Sequence, residues 1–285
     1  MVSHEAFKLG NVAVITGAAD GIGYATAKRM IGKGMRVCLA DIDEERLDES
    51  AAQLGASMAE HVDVSDMSAL SALRDKVLSQ LGRVDVLMNN AGTGGSNSCW
   101  TEYEVWQKTL GANLWGVING VHAFTEAMLA QNTPGLIINT GSKQGITTPP
   151  GNPAYNVSKA GIKSFTEALQ HTLRNTEGCQ LSAHLLVPGF TYTGMIRRFM
   201  PDKPPAAWTA EQVVEFMLEK IDLGDFYILC PDNDVNRDMD NRRMEWAMGD
   251  LIYNRPALSR WHEDYEDDYR EFTEQEFGTR SLLEK

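Results

Sequence analysis

Three glycines fall within seven residues in Gly17-Ala18-Ala19-Asp20-Gly21-Ile22-Gly23. The stretch Lys8 to Thr16 before them carries a short apolar strand, VAVIT, and the run after them, YATAKRMIGKG, reads as a helix. Glycine permits a tight turn and lets the backbone come close to an anion. The helix N-terminus adds N–H donors and a partial positive charge. Strand, glycine turn and helix in this order form the layout of an open sheet that binds a dinucleotide. The spacing is G-x-x-x-G-x-G, not the common G-x-G-x-x-G. An ordinary βα turn has no need of so many glycines.

The next apolar strand, MRVCLA, ends at Asp41, twenty-four residues after Gly17. A carboxylate there can bond both hydroxyls of an adenosine ribose. It would repel a 2′-phosphate, as would Asp20, and Ile42 stands where an arginine would welcome one. NAD is therefore expected as the cofactor, not NADP. Asp43, Glu44 and Glu45 suit a helix start. Asp63 and Val64 end a third strand, where an adenine ring would lie, and Ser65 suits a helix N-cap. The strand VDVLMNNAG ends in Asn89-Asn90-Ala91-Gly92, small residues that leave room for a ligand. Asn89 is open to a second role, bonding neighbouring strands.

At 285 residues with a net charge of −13, the chain can bury a large core and suits neither nucleic acid nor an anionic membrane surface. Its longest apolar runs are strand-length, far short of a membrane span. The N-terminal residues lead straight into the first strand with no signal layout, so a cytoplasmic protein is expected. The four cysteines, Cys38, Cys99, Cys179 and Cys230, are scattered and form no C-x-x-C pair. Reduced thiols and no metal site are expected.

A proton-transfer group stands in the middle of the chain. Ser142 follows the apolar strand GLIINTG, Tyr155 comes thirteen residues later, and Lys159 four after that. Tyr155 and Lys159 lie in a helical run, where a spacing of four puts both on one face. A nearby ammonium is expected to lower a phenol that titrates near pH ~10. Asn113 is a polar residue on an otherwise apolar helix face, in one broken helix or two; either backbone satisfies it or it works in the site. Trp100, Trp106 and Trp115 are expected to pack, with Trp115 close enough to Asn113 in sequence to face the pocket instead. Pro188 and Gly189 close a sixth strand, and Thr191, Tyr192 and Thr193 follow at its carboxyl end. The proline-rich stretch 196–208 reads as a lid. Arg197 or Arg198 on it suits either a substrate carboxylate or plain solvation. Gln144, Ile146, Tyr192 and Met195, with Ser142 and Tyr155, form the expected substrate wall, suited to a bulky hydrophobic or aromatic molecule.

Residues 1–231 thus read as one dinucleotide-binding catalytic domain. Residues 232–285 carry fifteen Asp/Glu against eight Lys/Arg. They also carry Trp246, Trp261, Tyr265, Tyr269 and Phe272, too apolar for a disordered acidic tail. Two amphipathic helices are expected there, MDNRRMEWAMGDLIYN and LSRWHEDYEDDYREFTEQEF, packed on the domain or on a neighbouring subunit.

Taken in order over residues 8–230, these motifs resemble the short-chain dehydrogenase/reductase family in its single-domain, NAD-dependent branch. The matching features are Thr16-Gly17-x-x-x-Gly21-Ile22-Gly23, Asp41, Asp63, Asn89-Asn90-Ala91-Gly92, Asn113, Ser142 with Tyr155-x-x-x-Lys159, and Pro188-Gly189-x-x-x-Thr193. The length and lid of the chain are also similar to those of bacterial dehydrogenases that oxidise benzylic alcohols of lignin-derived aryl ethers. The family resemblance implies an α/β fold, a doubly wound (Rossmann) sheet of seven parallel strands, and a homo-oligomer, dimer or tetramer. It implies that Tyr155 is the acid/base, that Ser142 bonds the substrate oxygen, and that Lys159 lowers the Tyr155 pKa and bonds the nicotinamide ribose. It implies further that Asn113 holds a relay water and that Thr193 meets the carboxamide. The activity expected is interconversion of a secondary alcohol and its ketone. A non-catalytic NAD-binding regulator on the same fold is the alternative, but such proteins usually lose one of the four polar residues. Elimination without hydride transfer is a third reading, disfavoured by Lys159 and the intact glycine turn.

Overall fold

The computed structural model describes residues 3–274. After a short 3-10 turn at Glu5–Phe7, the chain alternates strand and helix: β1 (Val12–Thr16), α1 (Gly21–Gly32), β2 (Arg36–Asp41), α2 (Glu44–Leu54), β3 (Met58–His61), α3 (Met67–Leu81) and β4 (Val86–Asn89). Next come α4 (Tyr103–Leu110), a π-helical turn (Gly111–Trp115), α5 (Gly116–Ala130), β5 (Gly135–Thr140), α6 (Gln144–Thr147), α7 (Pro153–Arg174) and β6 (Leu181–Val187). A two-stranded ribbon, β7 (Thr191–Tyr192) and β8 (Trp208–Thr209), brackets α8 (Gly194–Arg197). Then follow α9 (Ala210–Asp222), β9 (Tyr227–Leu229), α10 (Arg237–Tyr253) and α11 (Glu266–Glu274).

Seven strands pair in the order β3-β2-β1-β4-β5-β6-β9, all parallel. The doubly wound α/β sheet read from the sequence is therefore present. The strands are apolar throughout because both faces are covered. In β1, Ala13 and Ile15 join one core cluster with Met30 and Val213, whereas Val12 and Val14 join the other with Leu73 and Phe124. Strand order reverses between β1 and β4, which opens a crevice at their carboxyl ends. A polar ladder ties the sheet to α7 beneath that crevice. Asn89 Nδ2 donates to Asn139 Oδ1 at 2.9 Å, and Asn139 Nδ2 donates to Thr166 Oγ1 at 3.1 Å. Of the two roles open to Asn89, this is the strand-bonding one.

Local boundaries differ from the sequence reading where side chains compete. β3 stops at His61, so Asp63 and Val64 lie in the following turn. Asp66, not Ser65, caps α3 through Ser68 N–H at 2.7 Å. Trp100 and Trp115 are exposed, against the packing expected of them, while Trp106 donates to Ser98 O at 3.0 Å. The second C-terminal helix begins only at Glu266, because Leu258 is left-handed and His262 is extended. The last three residues of that expected helix, and the chain to 285, lie outside the described residues. The aromatic stripe turns inward: Tyr269 and Phe272 each stand 5.3 Å from the ring of buried Trp246 on α10. No described helix is long and apolar enough to cross a membrane.

Asn139→Ala should cost about 1–3 kcal/mol in a denaturant melt, since it leaves buried partners of Asn89 and Thr166 unpaired. An unchanged midpoint would mean that the ladder does not brace the sheet.

Candidate active site

The glycine turn is shaped by the end of β4. At Gly17, with φ +64°, a Cβ would stand 2.7 Å from Ala91 Cα; at Gly23 it would stand 2.2 Å from Gly17 O. No side chain fits either place. Thr16 Oγ1 accepts the N–H groups of Asn90 (3.0 Å) and Ala91 (3.1 Å). Asn90 Nδ2 donates to Thr16 O and Gly17 O, both at 3.2 Å. Asn90 and Ala91, expected as cofactor contacts, are thus the turn's own buttress.

Asp41 sits at the end of β2 with Oδ2 on Ala19 N–H (3.0 Å) and Oδ1 on Asp43 N–H (3.1 Å), so it is anchored on both the turn and the helix start. Ile42 beside it is 62% exposed, an apolar surface open to an aromatic ring. Asp63 accepts from Ser65 N–H and Oγ at 2.9 and 2.7 Å and remains exposed. Val64 departs from expectation. Its side chain is buried in the core, where a Cβ on Gly116 would meet it at 2.6 Å, and its carbonyl accepts from Asn119 Nδ2 at 3.1 Å. Helix α5 claims this side chain, so any contact with an adenine falls to its backbone N–H.

Asp20 is not the free repelling charge read from the sequence. It accepts from Gly21 N–H at 2.6 Å. Arg197 Nη2 lies 2.5 Å from both of its oxygens, and Arg46 Nη1 lies 3.7 Å away. Repulsion of a 2′-phosphate therefore falls to Asp41 alone. Arg197 is held by the turn and is not a free carboxylate receptor. Thr193 and Gly194 follow the same geometry: a Cβ on Gly21 would meet Thr193 at 3.0 Å, and one on Gly194 would meet Asp20 Oδ2 at 1.8 Å. The start of the lid thus rests on the glycine turn. Thr191 is buried and its hydroxyl donates to Gly189 O at 3.1 Å, which leaves its backbone to face the crevice mouth. Pro188 and Gly189 lie at the end of β6, facing the same crevice mouth as the turn. A pinched glycine cradle at the start of α1 and an anchored Asp41 fit a dinucleotide.

Ser142, Tyr155 and Lys159 come together beside this cradle. Asn152 caps α7 by accepting Tyr155 N–H at 3.4 Å, and Pro153 opens the helix. Lys159 is 5% exposed, and its Nζ donates to Thr140 O, the last residue of β5, at 2.8 Å. The same Nζ stands 5.6 Å from the Tyr155 ring centroid. Burial pulls Lys159 down to about 8. Burial pushes the Tyr155 phenol up, only partly offset by its hydrogen bond with Ser142. In this cleft burial, not the Lys159 charge, sets the direction of the phenol's shift.

Asn113 lies in the π-helical turn, a feature that recurs at functional sites, where Gly116 N–H bonds Gly111 O instead of keeping the α-helical register. It is fully buried; Oδ1 accepts Thr93 N–H (2.7 Å), and Nδ2 donates to Thr93 O (2.9 Å) and Ser158 Oγ (3.1 Å). Both side-chain donors are spent on bracing the loop after β4 against α7. Thr140 and Ser158, which bond Lys159 and Asn113, went unread in the sequence. A hydroxyl one residue before Lys159 was the available signal for Ser158; the Thr140 contact is made by a backbone carbonyl, which no residue type announces.

The substrate wall divides. A Cβ on Gly94 would lie 3.5 Å from Met195 Sδ and 3.8 Å from Tyr155 Cδ2, which places Met195 at the mouth beside Tyr155. Tyr192 donates its hydroxyl to Pro201 O and lies 5.8 Å from the Arg197 guanidinium, within the lid. Gln144 N–H donates to Ser142 Oγ at 3.2 Å, and its side chain is half-buried. Ile146 faces elsewhere. It packs with Leu229 and Met244 on the side of α10.

Lys159→Met gives the site a stability test. The fall from 10.5 to about 8 means that protonating Lys159 in the folded state costs about 3 kcal/mol. That cost is absent above pH 10.5, grows as pH falls, and is complete below pH 8. The stability of Lys159→Met relative to the unmutated chain should therefore be greatest at pH 7 and shrink by about 3 kcal/mol toward pH 10.5. A difference independent of pH in denaturant melts would contradict this burial.

The family model for short chain dehydrogenase matches residues 11–204. Human 15-hydroxyprostaglandin dehydrogenase [NAD(+)] is 36% identical over 197 residues, 66% of this chain and 70% of that protein. The putative oxidoreductase SadH of Mycobacterium tuberculosis is 36% identical over 169 residues, 58% of this chain but only 61% of its own length. Among solved structures, a short chain dehydrogenase/reductase from Burkholderia phymatum in complex with NAD has a TM-score of 0.79 at 32% identity, covering 88% of this chain and 96% of that one. With the sheet order, glycine cradle and Ser142-Tyr155-Lys159 cluster already described, these matches make the chain a member of the short-chain dehydrogenase/reductase family of oxidoreductases.

Proposed function

We propose that this oxidoreductase interconverts a bulky secondary alcohol and its ketone, with NAD as cofactor. The observation that carries this reading is the convergence of the Ser142 hydroxyl, the Tyr155 phenol and the buried Lys159 ammonium beside the glycine cradle. NAD, when bound, accepts or returns the hydride. The chain's own residues bind, orient and move the proton. Ser142 holds the substrate oxygen as charge develops on it, and Tyr155 takes the hydroxyl proton in oxidation or donates one in reduction. Lys159 would hold the nicotinamide ribose, and its ammonium would steady the Tyr155 phenolate. Asn113 keeps Lys159 in register through Ser158 and the Thr93 loop.

Gly17, Gly21, Ile22 and Gly23 would receive the pyrophosphate at the start of α1, with Asp20 framing the turn. Asp41 would bind the adenosine ribose, with Ile42 and Asp63 at the adenine and Gly92, Pro188, Gly189 and Thr193 around the nicotinamide. Preference for NAD is supported by the anchored Asp41 carboxylate and by the NAD in two relatives' descriptions. A hydrophobic or aromatic substrate, benzylic alcohols included, is supported by Met195 at the mouth and by exposed Phe199 and Met200 on the lid. The reading includes a cytoplasmic homo-oligomer, in which a second copy would cover exposed Trp115 and Val157.

An absorbance screen at 340 nm over aromatic and alicyclic secondary alcohols, with NAD and NADP in parallel, should find NADH formation favoured over NADPH. Tyr155→Phe should lower that rate about 10²- to 10⁴-fold while NAD still binds. NAD binding without turnover across the panel would favour a regulator; equal rates for Tyr155→Phe would remove the phenol from the reaction.

A further inference from the structure

The C-terminal extension reaches the catalytic serine through one buried cation. Lys143 directly follows Ser142, and its Nζ lies 2.7 Å from Asp240 on α10 and 3.5 Å from Asp232 in the strand-to-helix connection. The Lys143 side chain is 17% exposed, and each carboxylate is 6% exposed. Asp232 is shared: Oδ2 also accepts Phe190 N–H at 3.1 Å, and Oδ1 accepts Val235 N–H at 2.8 Å. Its neighbour Asn233 donates Nδ2 to Pro205 O at 2.6 Å and N–H to Ala206 O at 3.0 Å, at the far end of the lid. One short stretch of the extension therefore holds the Ser142 loop, the Pro188–Gly189 turn and the lid.

Buried ion pairs add little net stability, because desolvation offsets their attraction, so stability is a poor reason for this one. Position is a better reason. Lys143 O accepts the N–H groups of Ile146 and Thr147 at 3.0 and 3.1 Å, and Ser142 Oγ accepts Gln144 N–H. Helix α6 is a single turn, too short to hold itself. A displacement of Lys143 would carry Ser142 away from Tyr155, and shifts near 1 Å at a reacting group cost about 10²-fold.

We propose that Lys143, clamped by Asp240 and Asp232, is a positioning residue that sets the Ser142 hydroxyl, and that the C-terminal extension is thereby part of the active site. The proposal rests on the oxidoreductase reading above. Its test uses hydrogen exchange on the full chain together with NAD-linked turnover of 1-phenylethanol or another alcohol found in the screen. Asp240→Asn should speed exchange of the Gly145–Thr148 amides about tenfold, with the central sheet unchanged. Turnover should fall about tenfold with the NAD dissociation constant within twofold, and Lys143→Arg should retain both properties. The paired variant Lys143→Met/Asp240→Leu removes the closer buried pair and leaves Asp232 on the N–H groups of Phe190 and Val235, so it should fold yet turn over slowly. Unchanged exchange and turnover in Asp240→Asn would overturn the proposal. So would full activity in the paired variant, or loosening spread across the sheet. If no alcohol reacts even with the unmutated chain, the function reading fails, and exchange confined to Gly145–Thr148 still decides whether the clamp anchors the Ser142 loop.

Discussion

A single buried contact sets the geometry of the cleft. Lys159 Nζ, cut off from solvent, donates to the carbonyl of Thr140 at the end of β5. That bond pins α7 to the sheet at the level where strand order reverses, so Tyr155 one turn earlier must face the crevice. The rest is arranged around this placement. Asn113 and Ser158 hold the helix from the other side, and the glycine turn stands across the crevice on β4. The arrangement is electrostatically costly. An ammonium without a carboxylate partner in the site has its charge disfavoured by burial, and the neighbouring phenol is pushed up for the same reason. Such a pair of perturbed groups in a crevice is what the proposed proton transfer calls for.

Much of this was legible in the chain because the constraints are local. Three glycines between an apolar strand and a helix admit few backbones, and Gly17 and Gly23 show why, since a side chain at either would strike the neighbouring backbone. The four-residue spacing of Tyr155 and Lys159 is enough to place both on one helix face. Asp41 was readable because a strand end fixes where its side chain emerges.

What was not legible depends on partners far away in sequence. The packing of the Val64 and Ile146 side chains against Gly116 and Met244 is of this kind. Asp20 looked like a free charge until Arg197, far along the chain, closed on it. The rise of the phenol was not legible because the sequence does not show how deeply Tyr155 is enclosed. In the extension, the aromatic stripe was visible, but its target, Trp246, was not, and neither was the reach of Lys143 to Asp240.

The central claim is that this cleft moves hydride between an alcohol carbon and a nicotinamide while Tyr155 moves the proton. Incubating the protein with NAD and 1-phenylethanol, or whichever secondary alcohol it turns over, deuterated at the carbinol carbon tests this directly. Proton NMR of the recovered cofactor should show deuterium at nicotinamide C4, on one face only, in step with ketone formed. Ketone formation with the label lost to water, or with no label on the cofactor, would contradict it.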